Sequence, residues 1–134
     1  MKPADLAKSG TESGHQRAVF AWAALNVARY PELKWLHHIP NGGSRGDDAK
    51  SRAIRGGALK AEGVKTGVSD LSLPVKRGEF SGLYVEMKKP GKIKTESQDQ
   101  KDFGAFVKSQ GFGYVCVDNW EDAVKVIEDY LQWH

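Results

Sequence analysis

The chain lacks several of the features that most directly announce a function. It has a single cysteine, Cys116, set in the apolar run "GYVCVD". One thiol builds neither a disulfide framework nor a cysteine-rich zinc site within the chain. In apolar surroundings it reads as a buried structural thiol and points to a reducing compartment. No apolar run approaches the roughly 18 residues of a membrane span. The opening stretch, "MKPADLAKSG", has no apolar segment of the secretory kind and reads as a flexible tail over residues 1–11. The expected location is the cytoplasm. There is no internal repeat and no low-complexity block. "NGGSRG" (41–46) resembles a phosphate-binding nest but lacks the Gly-Lys-Ser/Thr ending of a P-loop.

What is present fits one compact domain, read as residues 12–134 of the 134-residue chain. A net charge of +3 allows an anionic partner without requiring one. Residues 12–30 read as a helix ending before Pro31, with apolar residues on more than one stripe and hence burial on two sides. Glu12, Gln16 and Val19 share a face of it, which turns Glu12 along the core side. "KWLHHIP" (34–40) reads as a strand and "NGGSRGD" (41–47) as a loop. Residues 48–62 look helical. Strands follow at about 70–75 and 82–88. Residues 97–110 form a helix capped by Ser97, with Gln100 three positions on and Gly111 as its stop. "FGYVCV" (112–117) is a strand, and 120–132 a final amphipathic helix with Asn119 as its cap. The order αβαββαβα predicts an α/β domain with one small mixed sheet flanked by helices.

The chemistry concentrates in "SDLSLPV" and "LYVEMKK". Strand side chains alternate faces, so Leu71, Leu73 and Val75 point one way, as do Leu83, Val85 and Met87. Asp70, Glu86 and Lys88 then share the opposite face. Two adjacent carboxylates repel unless a cation lies between them. Mg²⁺ accepts oxygen ligands and keeps several waters, which suits such a pair. A lysine two residues beyond the second acid would flank the metal and counter the charge developing on a phosphate. The plainer alternative is a solvated strand face, because Glu-x-Lys arises often in a chain with 28% charged residues. His37 and His38 are adjacent in a strand, face opposite sides, and cannot hold one ion together.

"HIPNGGSRG", "ALKAEGVKTGVSDLSL", "YVEMKKPG" and "SQDQKDF" occur here in the order and spacing of VRR-NUC nucleases. The chain thus resembles the stand-alone phage and bacterial type of that family, within the PD-(D/E)xK restriction-endonuclease-like superfamily. The likeness runs from about Glu12 to Leu131. It departs from the superfamily name in one place, where Ser69 rather than proline precedes Asp70.

The resemblance implies a restriction-endonuclease-like core and a Mg²⁺-dependent endodeoxyribonuclease, with Mn²⁺ able to substitute. It makes Asp70 and Glu86 the metal-binding carboxylates, Lys88 the catalytic lysine, and the Met87 backbone carbonyl a further ligand. Glu12 matches the family's first-helix glutamate, a metal ligand directly or through water, and Gln100 its motif glutamine. The plainer readings are a first-turn acid for Glu12 and the second half of a capping box for Gln100. The family also implies a homodimer that resolves four-way (Holliday) junctions, in a bacterial host's cytoplasm if phage-encoded. A general or sequence-preferring nickase and a non-catalytic DNA-binding module are the alternatives. Asn41, Arg45, Lys50, Arg52, Arg55 and Lys65 on one side, and Lys89, Lys92 and Lys94 on the other, are the expected contacts to DNA phosphates.

Overall fold

A computed structural model describes residues 1–40 and 57–134. Helix α1 spans Pro3–Ala7, α2 Glu12–Asn26, α3 Gln98–Ser109 and α4 Trp120–Gln132. The strands are β1 (His37–His38), β2 (Leu71–Leu73), β3 (Leu83–Met87) and β4 (Gly113–Val117). They form one mixed sheet in the order β1-β2-β3-β4, flanked by helices, as the α/β reading expects. The first two pairings are antiparallel and β3–β4 is parallel. A parallel neighbour needs a crossover, and α3 provides it.

Both faces of the sheet are covered. Leu71, Leu73, Leu83, Val85 and Met87 join Val19 and Ala23 of α2 and Ala123 and Ile127 of α4 in the main core. On the opposite face Tyr84 meets Phe103 of α3 edge-on, with ring centres 5.2 Å apart. Gly104 lets α3 lie close, since a Cβ there would come within 2.8 Å of the Tyr114 ring. The polar side of the β2–β3 pair therefore lies under α3 rather than in open water.

The helix starts follow their sequence signals. Thr11 Oγ1 accepts from the Gly14 N–H, and the Asn119 side chain accepts from the Asp122 N–H. Ser97 and Gln100 form the expected capping box. His15, buried on α2, accepts from the Trp120 N–H at 2.9 Å and so ties α2 to the start of α4.

Several expected boundaries change. α2 ends at Asn26 instead of running to residue 30, because Tyr30 precedes Pro31 and is held at φ −127° and ψ 86°, outside the helical region. Of the strand expected over 34–40, residues 34 and 35 close a 3-10 turn, Pro31–Trp35, and only His37–His38 form β1. Pro31 opens that turn, and buried Leu33 and Leu36 anchor it. β2 is shorter than 70–75, stopping before Pro74, which has no N–H for the ladder. Residues 3–7, read as part of a tail, form α1 and pack on α2. Of the apolar residues of α2, Val19 is buried and Phe20 and Trp22 pack against the core, but Leu25 is 70% exposed. Residues 57–61 are helical, while the rest of the expected 48–62 helix and the 41–47 loop lie largely outside the described residues. Among the described residues no helix is long and apolar enough to cross a membrane.

The segment leading into β2 docks on the start of α3 through Gly67. Its φ is +89°, and a Cβ there would come within 2.6 Å of main-chain atoms of Asp99. The Thr66 hydroxyl donates to Asp99 Oδ2 at 3.1 Å beside it. Gly67→Ala therefore meets both left-handed strain and a backbone collision. It should cost more than about 1 kcal/mol, measured as a lower denaturant midpoint. A midpoint equal to wild type would show that this contact does not hold α3 in place.

Candidate functional site

Leu71 faces Val85 across the antiparallel pair, so one step along the register sets Asp70 against Glu86. That is the spacing at which cross-strand side chains interact most strongly. Asp70 sits immediately before β2 and its main chain is pinned twice. Its carbonyl accepts from the Ile39 N–H at 2.7 Å and from His38 Nδ1 at 2.8 Å. A carbonyl only accepts, so His38 carries its proton on Nδ1 in this arrangement. The Asp70 side chain accepts from the Met87 N–H at 2.8 Å.

Burial decides between a solvated strand face and a site. Asp70 is 3% exposed and Glu86 1% exposed. Carboxylates are almost never this buried unless something compensates their charge. Glu86 Oε1 receives a long hydrogen bond of 3.4 Å from Gln100 Nε2, while Glu86 Oε2 is buried without a hydrogen-bond partner. Its proton affinity is raised far above the ordinary carboxylate range. Burial is the largest cause, followed by the closeness and charge of Asp70; Glu12 adds a smaller push, and Lys88 opposes it.

Lys88 is half-buried at the end of β3, on the same side as Glu86. Its Nζ donates to Gln100 Oε1 at 2.7 Å. Gln100, on the first turn of α3, thus touches both Lys88 and Glu86 while completing the capping box. The capping box is formed, and the same side chain makes both of these contacts. Glu12 lies at the start of α2, exposed but close enough for its charge to act on Glu86. The four side chains Asp70, Glu86, Lys88 and Gln100 are brought together, with Glu12 at the margin.

The donor set fits a hard divalent cation. It offers carboxylate oxygens, one of them an orphan, and no softer ligand is needed. Among the described residues no group of three or more His, Cys, Asp or Glu side chains converges as a metal cage. Glu12 therefore does not complete a three-carboxylate cluster with Asp70 and Glu86. Two carboxylates, with main-chain oxygen and water making up the remainder, match the preference of Mg²⁺ for few protein ligands.

The expected contacts to DNA divide into two groups. Lys65, Lys89, Lys92 and Lys94 are exposed. The last three lie on the segment joining β3 to α3, pinned where Asp118 Oδ2 accepts from the Gly91 N–H at 3.0 Å. Asn41, Arg45, Lys50, Arg52 and Arg55 lie outside the described residues.

Cys116 is paired with Glu86 across the parallel β3–β4 ladder, a proximity the sequence did not reveal. Burial, with the Glu96 and Glu86 carboxylates, pushes its thiol up to about 12. It stays protonated at neutral pH and is a poor nucleophile. Tyr114 on the same strand donates to Glu96.

No family model matches the sequence, and no curated protein matches it. A solved structure titled "VRR_NUC domain protein" superposes with a TM-score of 0.72 at 25% identity, covering 92% of this chain and 89% of that one. The chain has the VRR_NUC domain fold. The likeness spans nearly the whole of both chains, so the sheet and the helices around it belong to one architecture. Within this fold the buried acids lie where β2 and β3 meet the first turn of α3.

The raised proton affinity of Glu86 has a consequence for stability. In the metal-free protein the folded state keeps a proton that the unfolded chain releases above the ordinary value of 4.5. Stability should therefore be fullest below that value and fall as pH rises toward the raised folded value. Glu86→Gln removes this cost. At pH 8 without metal it should be more stable than wild type by about 1–3 kcal/mol, and its stability should depend less on pH. Denaturant titrations of both proteins from about pH 5 to about pH 8 check this. A wild-type protein that gains stability over that range relative to Glu86→Gln would contradict it.

Proposed function

We propose that this VRR_NUC domain is a metal-dependent DNA endonuclease. The observation that carries the reading is the buried Asp70–Glu86 pair with Lys88 held beside it by Gln100. Burying two repelling acids costs stability, and a DNA-binding module gains nothing from that cost. Asp70, Glu86 and the Met87 carbonyl would hold Mg²⁺ or Mn²⁺, with Glu12 acting at longer range or through water. When bound, the cation supplies positive charge at the phosphate and makes water more acidic. Water oxygen forms the new P–O bond as the bridging P–O bond breaks. The Lys88 ammonium is placed to neutralise charge growing on the phosphate, and Gln100 keeps it from drifting into solvent. Lys65, Lys89, Lys92 and Lys94 would meet the DNA backbone.

The finer proposal is a homodimer that cuts four-way junctions in a bacterial cytoplasm. One site makes one cut, and two copies related by a twofold axis supply the opposed pair. α2 adds little support for this, because Phe20 and Trp22 pack against the core of the same chain.

Cleavage of linear duplex, flap, fork and four-way junction DNA should require Mg²⁺ or Mn²⁺ and stop with EDTA. Asp70→Asn and Glu86→Gln should abolish both cleavage and calorimetric metal binding while the fold persists. Unchanged metal binding in both variants removes them as ligands.

Lys88→Ala should keep metal and DNA binding and slow single-turnover cleavage by ~10²-fold. Light scattering should give a dimer mass, and junction preference should survive salt that weakens overall affinity. A monomer cutting all substrates equally leaves a simple nickase, and no cleavage of any substrate leaves a binding module.

A further inference from the structure

The capping box of α3 does more than begin a helix. Gln100 Oε1 receives two donors, the Ser97 N–H at 2.8 Å and Lys88 Nζ at 2.7 Å. An amide turned by 180° would aim its NH₂ at both, so the two donors fix one orientation. In that orientation Nε2 necessarily faces Glu86 Oε1. A capping box accepts either glutamate or glutamine at this position. Here glutamate would satisfy Ser97 and Lys88 but could not donate to Glu86 Oε1 as the Gln100 amide does. The site, and not the helix, therefore requires glutamine.

We infer that Ser97 is a positioning residue for Lys88, acting through its main-chain N–H, which locks the Gln100 amide with Oε1 toward Lys88 and Nε2 toward Glu86. Ser97 has two separable functions. Its Oγ accepts from the Gln100 N–H at 3.2 Å, which is ordinary helix capping. Its N–H holds the amide, which is the part that reaches the site. This inference rests on the nuclease reading for its effect on rate, but the locked amide is a property of the metal-free protein.

The backbone permits a substitution that separates the two functions. Ser97 has φ −72° and ψ 165°, and Glu96 has φ −57° and ψ 129°. The first angle suits proline, and the second pair suits a residue preceding proline. Ser97→Pro therefore removes Oγ and the N–H, and its ring carbon displaces Gln100 Oε1. Ser97→Ala removes Oγ alone and serves as the control.

The first readout is the side-chain amide signal of Gln100 in the nitrogen–proton spectrum of metal-free protein, assigned by its loss in Gln100→Glu. It should lie away from free glutamine in wild type and in Ser97→Ala. In Ser97→Pro it should move to the position of an exposed glutamine. The second readout is cleavage with Mg²⁺. Relative to Ser97→Ala, Ser97→Pro should lower kcat at least about tenfold with little change in KM, as expected for a displaced preorganised group. Melting temperatures of the two variants identify any loss due to the helix start alone. A Gln100 signal in Ser97→Pro matching that of Ser97→Ala overturns the inference, and so does a displaced amide with equal kcat. Wild-type protein that cuts no DNA rejects the nuclease reading instead, and the amide spectrum still decides whether Ser97 locks Gln100.

Discussion

Repulsion between Asp70 and Glu86, both held out of water, is the constraint around which the rest of this domain is arranged. Left alone, such a pair separates or takes up a proton. Neither acid is free to move. Asp70 is clamped by hydrogen bonds to its carbonyl from His38 and Ile39 and by the Met87 N–H at its side chain. Glu86 is the next-to-last residue of β3, which is paired to β2 on one side and to β4 on the other. The sheet thus holds a local arrangement that its own electrostatics disfavour, which is how functional sites commonly store cost in a stable scaffold.

The same constraint explains the position of α3. A bare strand face would leave both acids hydrated and separately charged. α3 covers that face, removes water, and brings its first turn against the acids. Close approach depends on Gly104 under Tyr114 and on Gly67 beside Asp99. The helix start then supplies polar groups at the one place where a buried site needs them, because the first turn has N–H groups that no helical carbonyl satisfies. Gln100 completes the helix cap and also contacts Lys88 and Glu86. Helix capping and site geometry are consequently not independent here.

Much of this was legible in the residues themselves. The α/β class, the last two helices, their Ser97 and Asn119 caps and the alternation of β3 follow from local rules, and these elements form nearly as expected. Local rules failed around residues 27–40, where Pro31 and the anchoring of Leu33 and Leu36 replaced helix end and strand with a 3-10 turn. They failed again at Leu25, which has the hydropathy of a core residue yet faces solvent. Hydropathy records what a side chain prefers, whereas burial depends on which neighbours arrive to cover it.

The sequence by itself determined which groups share a face. Period-two alternation puts Glu86 and Lys88 on one side of β3, and the Ser97–Gln100 spacing builds a capping box wherever that helix begins. Tertiary structure alone decided that this face is dry, that Asp70 stands opposite Glu86, and that Cys116 lies across from Glu86 on β4. These relations depend on strand register and on the crossover through α3, which join residues far apart in the chain. Electrostatics then turns on them. The same two carboxylates would be a mild surface pair in water, but enclosed by the sheet and α3 they leave Glu86 with a proton affinity far above the ordinary carboxylate range.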